Sequence, residues 1–525
     1  MAKVGAVLVV GAGIGGIKAA LELAEMGFKV YLLDKSPNIG GTLAQLDKQF
    51  PTNDCGMCKI LPLFACDEVS DLCLRRELSH PNIELLPNSV VKACQGPAGE
   101  FKVRVLERPR YVKEDRCIIC GLCLPVCPVQ VDDEFNEGLT KRKAIYLKYP
   151  LGVPYLYTID MDNCTKCGEC VKVCPTDAID LSQSEAEREL EVGAVILSSG
   201  FEEFDPTPLT QYGYGNFPNV VTSIELERLL SGKGPNFGEF GRPSDGKAPG
   251  RVAFLQCIGS RDEERNYCSS ACCMYALKEA SLLRERYPDL ESRIFFMDMR
   301  AFGKGYHRYY VKAEEELGVG FTRSKVSAIR QGAADGSLRV TYETEDGELK
   351  TEEFDLVVLS IGQTPSPERE DLARTFGFEL NRHGFAETKG FPQVITSREG
   401  IFVCGSFSSP ADIPETITQA QAAALEVSSL LAPSKDQLSF RPEYKEELDL
   451  SEQEPKLGLF ICKCSNEIAG KLDLDEVVRF AQRLPQVSLV ETVPYLCLRE
   501  DLNRVKHRIE DAGLNRVVYA ACAPH

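Results

Sequence analysis

Two runs of cysteine share one spacing. Cys117, Cys120, Cys123 and Cys127 are followed by Pro128, and Cys164, Cys167, Cys170 and Cys174 by Pro175, so C-x2-C-x2-C-x3-C-P occurs twice within 59 residues. Zinc sites pair two C-x2-C hooks and have no use for three hooks in a row. A pair of [4Fe–4S] clusters does need this pattern: one loop supplies three thiolates to a cluster, and the Cys before Pro crosses to the other cluster. The expected ligand sets are therefore Cys117, Cys120, Cys123 and Cys174 for one cluster, and Cys164, Cys167, Cys170 and Cys127 for the other.

Three less regular quartets surround this module. Cys257, Cys268, Cys272 and Cys273 fall between a strand-like and a helix-like segment. Adjacent cysteines rarely close a relaxed disulfide, but four such thiolates can hold a cubane cluster. Cys55, Cys58, Cys66 and Cys73 begin with C-x2-C and then lose regularity; a cluster competes there with buried structural cysteines. Cys462, Cys464, Cys497 and Cys522 form the last set, with strand-like runs leading into the first and last members. These sets account for twenty of the 22 cysteines and leave Cys94 and Cys404, both expected to serve packing. The inventory is thus two regular [4Fe–4S] clusters and up to five in all.

The elements that must position these thiols begin with a dinucleotide-binding unit. Ala6–Val10 reads as a buried strand, Gly11-x-Gly13-x-x-Gly16 follows, an amphipathic helix runs to Met26, and a strand over Lys29–Leu33 ends at Asp34. Gly11 permits the tight turn, Gly13 lets the backbone approach a pyrophosphate at the helix N-terminus, and Gly16 packs helix on strand. Asp34, with Lys35 beside it, stands where a ribose hydroxyl is bound. Gly40-Gly41 and the strand-then-glycine segments ending at Gly200, Gly362 and Gly405 resemble the crossovers and closing flavin motif of two-dinucleotide-domain flavoproteins, which favours FAD over a nicotinamide. Where that closing motif usually has an acid, this chain has Ser406. A second βαβ unit is expected from strand RVAFLQC, helix MYALKEASLLRERY and strand RIFFMDM, with CIGSRDEERNYCSSACC where a nicotinamide-binding unit would carry glycines.

Bulk properties narrow the function classes. A net charge of −18 and the lack of a basic stripe with interleaved aromatics argue against nucleic acid. No run of 18 apolar residues suits a transmembrane helix. The five histidines show no metal-ligand spacing, and Trp is absent. Thiols in this number fit a reducing compartment and metal, so the expected location is the cytoplasm, or the membrane periphery through partners.

Taken together, GGTLAQLDKQFPTNDCGMC (40–58), the paired motifs, CIGSRDEERNYCSSACCMYALKEA (257–280), ICKCSNEIAG (461–470) and YAACAPH (519–525) resemble the A subunit of heterodisulfide reductase, over the whole chain. The resemblance implies an α/β fold: a two-dinucleotide-binding-domain, thioredoxin-reductase-like flavoprotein with an inserted two-cluster ferredoxin domain and a small C-terminal α/β iron–sulfur module. It implies flavin-based electron bifurcation or its reverse. Around a homodimeric core, the partners it implies are HdrB/HdrC-like and MvhD-like electron-transfer subunits, ferredoxin, and a hydrogenase, formate dehydrogenase or NADH-oxidising subunit. Lys278 matches the family lysine near the reactive edge of the flavin; a helix-surface lysine is the plainer alternative. In the family the CxC-containing module usually precedes the flavin domain, whereas here a copy follows it and the sequence ends within that copy. Rearranged layouts also resemble the electron-activating part of class II benzoyl-CoA reductase.

The expected divisions are 1–112, 183–249 and 355–432 for the FAD-binding domain and its connection, and 113–182 for the ferredoxin insertion. A second Rossmann-like domain takes 250–354, a linker 433–455 and the iron–sulfur module 456–525. Two other functions compete: an NAD(P)H-dependent flavin oxidoreductase like the small subunit of glutamate synthase, and a non-bifurcating electron relay.

Overall fold

The structure is a computed structural model that describes residues 3–51, 80–150, 152–232, 234–334, 336–440, 449–464 and 468–521. Its frame is one plan used twice. A parallel sheet carries helices on one face and a three-stranded antiparallel sheet on the other.

The first sheet has seven strands in the order Thr388–Lys389, Ile395–Thr396, Ile401–Val403, Ala194–Leu197, Ala6–Val10, Lys29–Leu33 and Ile83–Leu86. The last five run parallel. Alternation along Ala6–Val10 sends Val7 and Val9 to the helical layer and Ala6, Leu8 and Val10 to the opposite layer. On the helical side, Ile14–Glu25 packs against Ile413–Leu431 through small side chains such as Ala20, Ala420, Ala423 and Ala424. Opposite lies the sheet of Ser89–Gln95, Phe101–Glu107 and Ala186–Val192, burying Phe101, Val103, Leu190 and Val192.

The second sheet is fully parallel, in the order Val220–Thr222, Leu356–Ile361, Arg251–Ile258, Glu291–Phe296 and Gly320–Arg323. Helices Ser223–Leu230 and Cys272–Arg286 cover one face, and the antiparallel strands Val326–Gln331, Leu338–Glu343 and Leu349–Phe354 cover the other. Two strands of this sheet lie outside the sequence boundaries drawn for it. Leu356–Ile361 falls within the stretch given to the FAD-binding domain and Val220–Thr222 within its connection; both belong to the second sheet. Every residue of Leu356–Ile361 is buried. A wholly apolar strand fits the centre of either parallel sheet, so its pattern cannot say which.

Between Glu107 and Ala186, the chain forms a small unit of two-stranded hairpins, Val131–Asp132 with Lys141–Arg142 and Ile145–Tyr146 with Thr158–Ile159, and two short helices, Cys123–Val126 and Glu169–Val173. Its core joins Ile145, Tyr157, Ile159 and Ile179 to the cysteines. The C-terminal unit places strand Leu457–Cys462 between Val487–Val493 and Arg516–Ala520, all parallel, with helices Leu474–Ala481 and Arg499–Asp511. The strand-like runs before Cys462 and Cys522 are legible in the sequence, whereas the strand Val487–Val493 is not. Among the described residues, no helix is long and apolar enough to cross a membrane.

Candidate functional site: one large cavity flanked by thiol sets

A cavity of about 600 Å³ opens where the two parallel sheets face each other. Its lining contains Gly11, Gly13, Asp34, Lys35, Gly40, Gly41, Gly200, Gly362, Gly405, Ser406 and Lys278, drawn from segments up to 395 residues apart. Gly16 is absent from the wall for a physical reason. A Cβ there would lie 1.8 Å from the carbonyl oxygen of Gly11, so this glycine lets helix and turn touch. At Gly13 a Cβ would meet nothing within 4 Å. The space it would fill is the cavity itself, next to the N-terminus of helix Ile14–Glu25, which has no side-chain cap. Unpaired N–H groups and the positive end of the helix dipole make this an anion seat.

Asp34 ends its strand with both carboxylate oxygens engaged: Ala12 N–H donates to Oδ2 (2.6 Å) and Ser36 N–H to Oδ1 (2.8 Å). Burial pushes its acidity down, raising the pKa, and those two N–H groups and nearby Lys148 oppose it. Lys148 was missed by the sequence reading. It comes from the cysteine-rich insertion and donates to Ser36 Oγ (2.7 Å), and burial lowers its pKa. No local pattern marks such a lysine, because its role depends on a contact 112 residues away. Lys35 pairs with Glu368 at 2.9 Å on the exposed rim.

On the far wall, Ser406 donates its hydroxyl to the Ala411 carbonyl (3.3 Å). Gln363 clamps the same residue through both its amide groups, at 3.1 and 3.2 Å. The acid in this wall is Asp412, the N-cap of helix Ile413–Leu431, in a capping box with Glu415 and bonded by Tyr306 Oη at 2.6 Å. Lys278 forms a buried ion pair with Glu227 and donates to the Lys48 carbonyl (2.9 Å). It is 1% exposed, so the surface-lysine alternative fails. The sequence reading also missed Glu227, Glu279 and Glu203, whose charges gave no hint that they face inward.

The cysteines gather as their spacing predicts where they are described. One small cavity is lined by Cys117, Cys120, Cys123 and Cys174, and another by Cys127, Cys164, Cys167 and Cys170; Ile145 contacts both. Each Cys before Pro has crossed to the other set. Backbone N–H groups already point at sulfur: Lys166 N to Cys164 (3.4 Å) and Ala178 N to Cys174 (3.3 Å). Burial raises the Cys123 thiol to about 12, so a thiolate there needs metal charge to hold it. Among the described residues, no three of His, Cys, Asp or Glu converge as ligands of a single metal ion. A cubane cluster takes one thiolate at each iron corner, which calls for sulfurs spread around a void.

Cys257, last but one in strand Arg251–Ile258, has a left-handed φ of 61°, and Cys272 and Cys273 open helix Cys272–Arg286. Cys257 is held low, at about 7, first by the hydrogen bond from Cys272 and then by Arg261 against burial; Cys272 is pushed up by its contacts to Cys257 and Cys273. Cys268 feels both Cys257 and Cys273, so the four thiols share one turn. Ala271, Met274 and Lys278 of the same turn and helix line the large cavity. In the C-terminal unit, Cys462 is buried and accepts from Leu496 N–H (3.4 Å), with Cys464 in the same core and Cys497 next to Leu496. Cys55, Cys58, Cys66, Cys73 and Cys522 lie outside the described residues. Cys404 lines the large cavity, buried and raised to about 12, and Cys94 is buried and raised to about 11.

Comparison with known proteins agrees with this geometry. Residues 6–53 match the family model of FAD dependent oxidoreductases, 116–178 that of 4Fe-4S dicluster domains, and 281–424 that of pyridine nucleotide-disulphide oxidoreductases. The chain is 47% identical to one of the iron–sulfur A subunits of CoB–CoM heterodisulfide reductase from Methanopyrus kandleri over 431 residues, 81% of this chain and 64% of that protein. It is 41% identical to an Archaeoglobus profundus protein named for its likeness to the heterodisulfide reductase A subunit, over 82% of this chain and 67% of that protein. The chain belongs to the family of heterodisulfide reductase A subunits. It is an FAD and [4Fe–4S] oxidoreductase of that family, and it spans about 64% of the length of relatives such as the M. kandleri protein. Among solved structures it is similar to a Lactococcus lactis thioredoxin reductase, at 14% identity and a TM-score of 0.44, covering 81% of this chain and 98% of that one.

Proposed function

We propose that this chain is the electron-distributing subunit of a heterodisulfide-reductase-type complex, with FAD in the 600 Å³ cavity and iron–sulfur clusters as its wires, working in flavin-based bifurcation or confurcation. The observation that carries the reading is the turn at 257–273. Where a second dinucleotide unit would keep glycines for a nicotinamide cofactor, four thiols share a turn whose next residues line the flavin cavity. The match to pyridine nucleotide-disulphide oxidoreductases begins at residue 281, beyond that turn.

The residues divide the work as follows. Gly13 and the helix N-terminus at Ile14 seat the pyrophosphate, and Asp34 takes the ribose. Gly40, Gly41, Gly200, Gly362 and Gly405 keep the backbone close, with Lys35 and Ser406 at the rim and far wall. Lys278 lines the same cavity, where its cation would lower the cost of negative charge on a bound flavin. Bound FAD stores an electron pair and can release the electrons singly. The wires would be the two sets at 117–174, the sets at 257–273 and 462–522, and the set at 55–73. Partners would be B- and C-type heterodisulfide reductase subunits, an MvhD-like adaptor and ferredoxin, around a homodimeric core in the cytoplasm. The M. kandleri relative is named for CoB–CoM heterodisulfide, and the same acceptor, or a benzoyl-CoA-reductase-type module, would serve here.

A redox titration of the flavin in the intact complex tests this. Bifurcation requires the second electron to add more readily than the first, giving one two-electron wave. Two resolved one-electron waves would leave a relay. Bleaching by NAD(P)H alone would make the chain a nicotinamide-dependent oxidoreductase.

A further inference from the structure

Behind Lys278 lies a second carboxyl that the ion pair does not need. Glu279, the next residue on helix Cys272–Arg286, is 1% exposed and borders the same cavity. Its carboxyl approaches Glu227 and Ser223 on helix Ser223–Leu230. Neither Glu279 Oε2 nor Ser223 Oγ completes a hydrogen bond there, although both atoms are shut away from solvent. Glu227 is fully engaged: Oε1 pairs with Lys278 and Oε2 accepts from Asp47 N–H (2.9 Å). Tyr275 spends its hydroxyl on the Ile361 carbonyl, and the buried Arg228 bonds Asn136 and the Gln45 carbonyl while feeling Glu227 first and then Asp133, Asp47 and Glu137.

Charge counting shows what this arrangement requires. Lys278 and Glu227 cancel, and Arg228 is answered by Asp133, Asp47 and Glu137 besides Glu227, so an ionised Glu279 would leave one uncompensated charge in a dry site, which is expensive. Burial first, and then the neighbouring Glu227, push the Glu279 carboxyl well above the usual range, against the pull of Lys278. The two carboxyls titrate together, so the single proton belongs to the pair.

We propose that Glu279 is a positioning residue that holds a proton for Glu227 and, by passing it across, releases Lys278 from its ion pair to face the cavity. The inference rests on the electron-distributing function above. Electrons delivered one at a time through clusters arrive without the proton that a hydride would bring. As negative charge enters the cavity, the O–H bond on Glu279 breaks and one forms on Glu227. No electron moves between the two, and the three groups stay neutral overall. The negative charge now sits on Glu279, one carboxyl farther from Lys278, whose ammonium is free to answer the charge in the cavity.

Infrared spectroscopy and flavin potentiometry of Glu279→Gln and Glu227→Gln test this. The wild-type chain, with or without FAD, should show a protonated-carboxyl carbonyl band at neutral pH that Glu279→Gln removes and Glu203→Gln does not. In the holoprotein, Glu279→Gln should keep FAD and iron at wild-type levels and slow flavin reduction by a one-electron donor at least tenfold. Glu227→Gln, with Lys278 already released, should make the flavin easier to reduce, and adding Glu279→Gln should then change nothing. No band lost on Glu279→Gln, with Glu203→Gln as the control for the other protonated carboxyl, or a wild-type band unaltered by reduction, overturns the proposal even if the variants fold poorly. A wild-type chain that binds no FAD would instead sink the function it rests on, leaving the band test standing.

Discussion

In each parallel sheet a central strand leads through a turn into a helix that lines the same cavity, yet the two turns are built differently. After Ala6–Val10 the chain needs only Gly11, Ala12 and Gly13 before its helix begins at Ile14. After Arg251–Ile258 it takes thirteen residues, 259–271, before the helix begins at Cys272. The short turn places helix N–H groups against the cavity, and its left-handed residue is Gly11 at a φ of 96°. The long turn folds back to bring Cys268 to Cys257 and Cys273; Gly259, Arg261 and Ser270 within it are left-handed, and so is Cys257 just before it, at 61°. A side chain in that conformation costs about 1 kcal/mol or more, so a thiol is placed where a glycine would sit more easily. One topology thus offers backbone to an anion in the first copy and sulfur in the second. The scaffold is common to both, and the loop decides the chemistry.

The comparison breaks most severely at Gly16. A Cβ 1.8 Å from Gly11 O has no room, so Gly16→Ala should lower unfolding stability by on the order of 4 kcal/mol, read by thermal denaturation, and carry FAD away with it. Gly13→Val should act differently although it lies three residues away. Its side chain would enter open cavity, so the fold and iron content should persist while FAD affinity falls about 100-fold, ~2.7 kcal/mol, by flavin fluorescence on ultrafiltration. If Gly13→Val denatured the protein as Gly16→Ala does, the cavity would not be the cofactor seat.

The second turn gives the reciprocal test. Cys272→Ala removes the thiol that contacts both Cys257 and Cys273. It should cost one cluster, about 4 iron atoms of roughly 20 if five clusters form, by iron assay. FAD should stay bound within about threefold. Loss of FAD with full retention of iron would mean that this turn shapes the cavity and carries no metal.

How much of this was legible in the sequence follows from where each constraint acts. The glycine turn and the paired C-P motifs are legible because each is a local demand of backbone or ligand spacing. Even the crossing of Cys127 and Cys174 between the small cavities is contained in the motif. The partners of Lys278 were hidden because Glu227 lies 51 residues away on a helix of the other crossover. Lys148 reaches Asp34 and Ser36 only because the insertion docks beside the first sheet, with Asn38 bonded to the Pro154 carbonyl at 2.7 Å. The Ser406 position drew attention for lacking an acid, while the acid in that wall, Asp412, stood six residues later as a helix cap. Leu356–Ile361 belongs to a different sheet from the one its position in the sequence suggests, because a uniformly apolar strand suits either core.

The smallest expected effect lies between the two turns. Glu203 ends strand Phe201–Glu203, which pairs with Gln363–Pro365 and so joins the first unit to the second. What exposure it has is to the cavity. Burial, followed by repulsion from Glu137 and Glu225, pushes its carboxyl up to about 8 from an ordinary 4.5. A raised carboxyl is protonated in the folded chain over a range where the unfolded chain has lost the proton. Stability from this group is therefore complete below about pH 4.5 and is lost as pH rises through about 8. The loss should be on the order of 2 kcal/mol, since a partly cavity-exposed group keeps some solvation. Glu203→Gln, neutral at every pH, should flatten that slope in denaturant titrations between these limits while leaving both turns, FAD and iron intact. If the wild-type slope has the opposite sign, Glu203 is ionised in the folded protein and lies against a cation. The wall between the turns would then carry negative charge, and Lys278 would have a second carboxylate to answer besides Glu227.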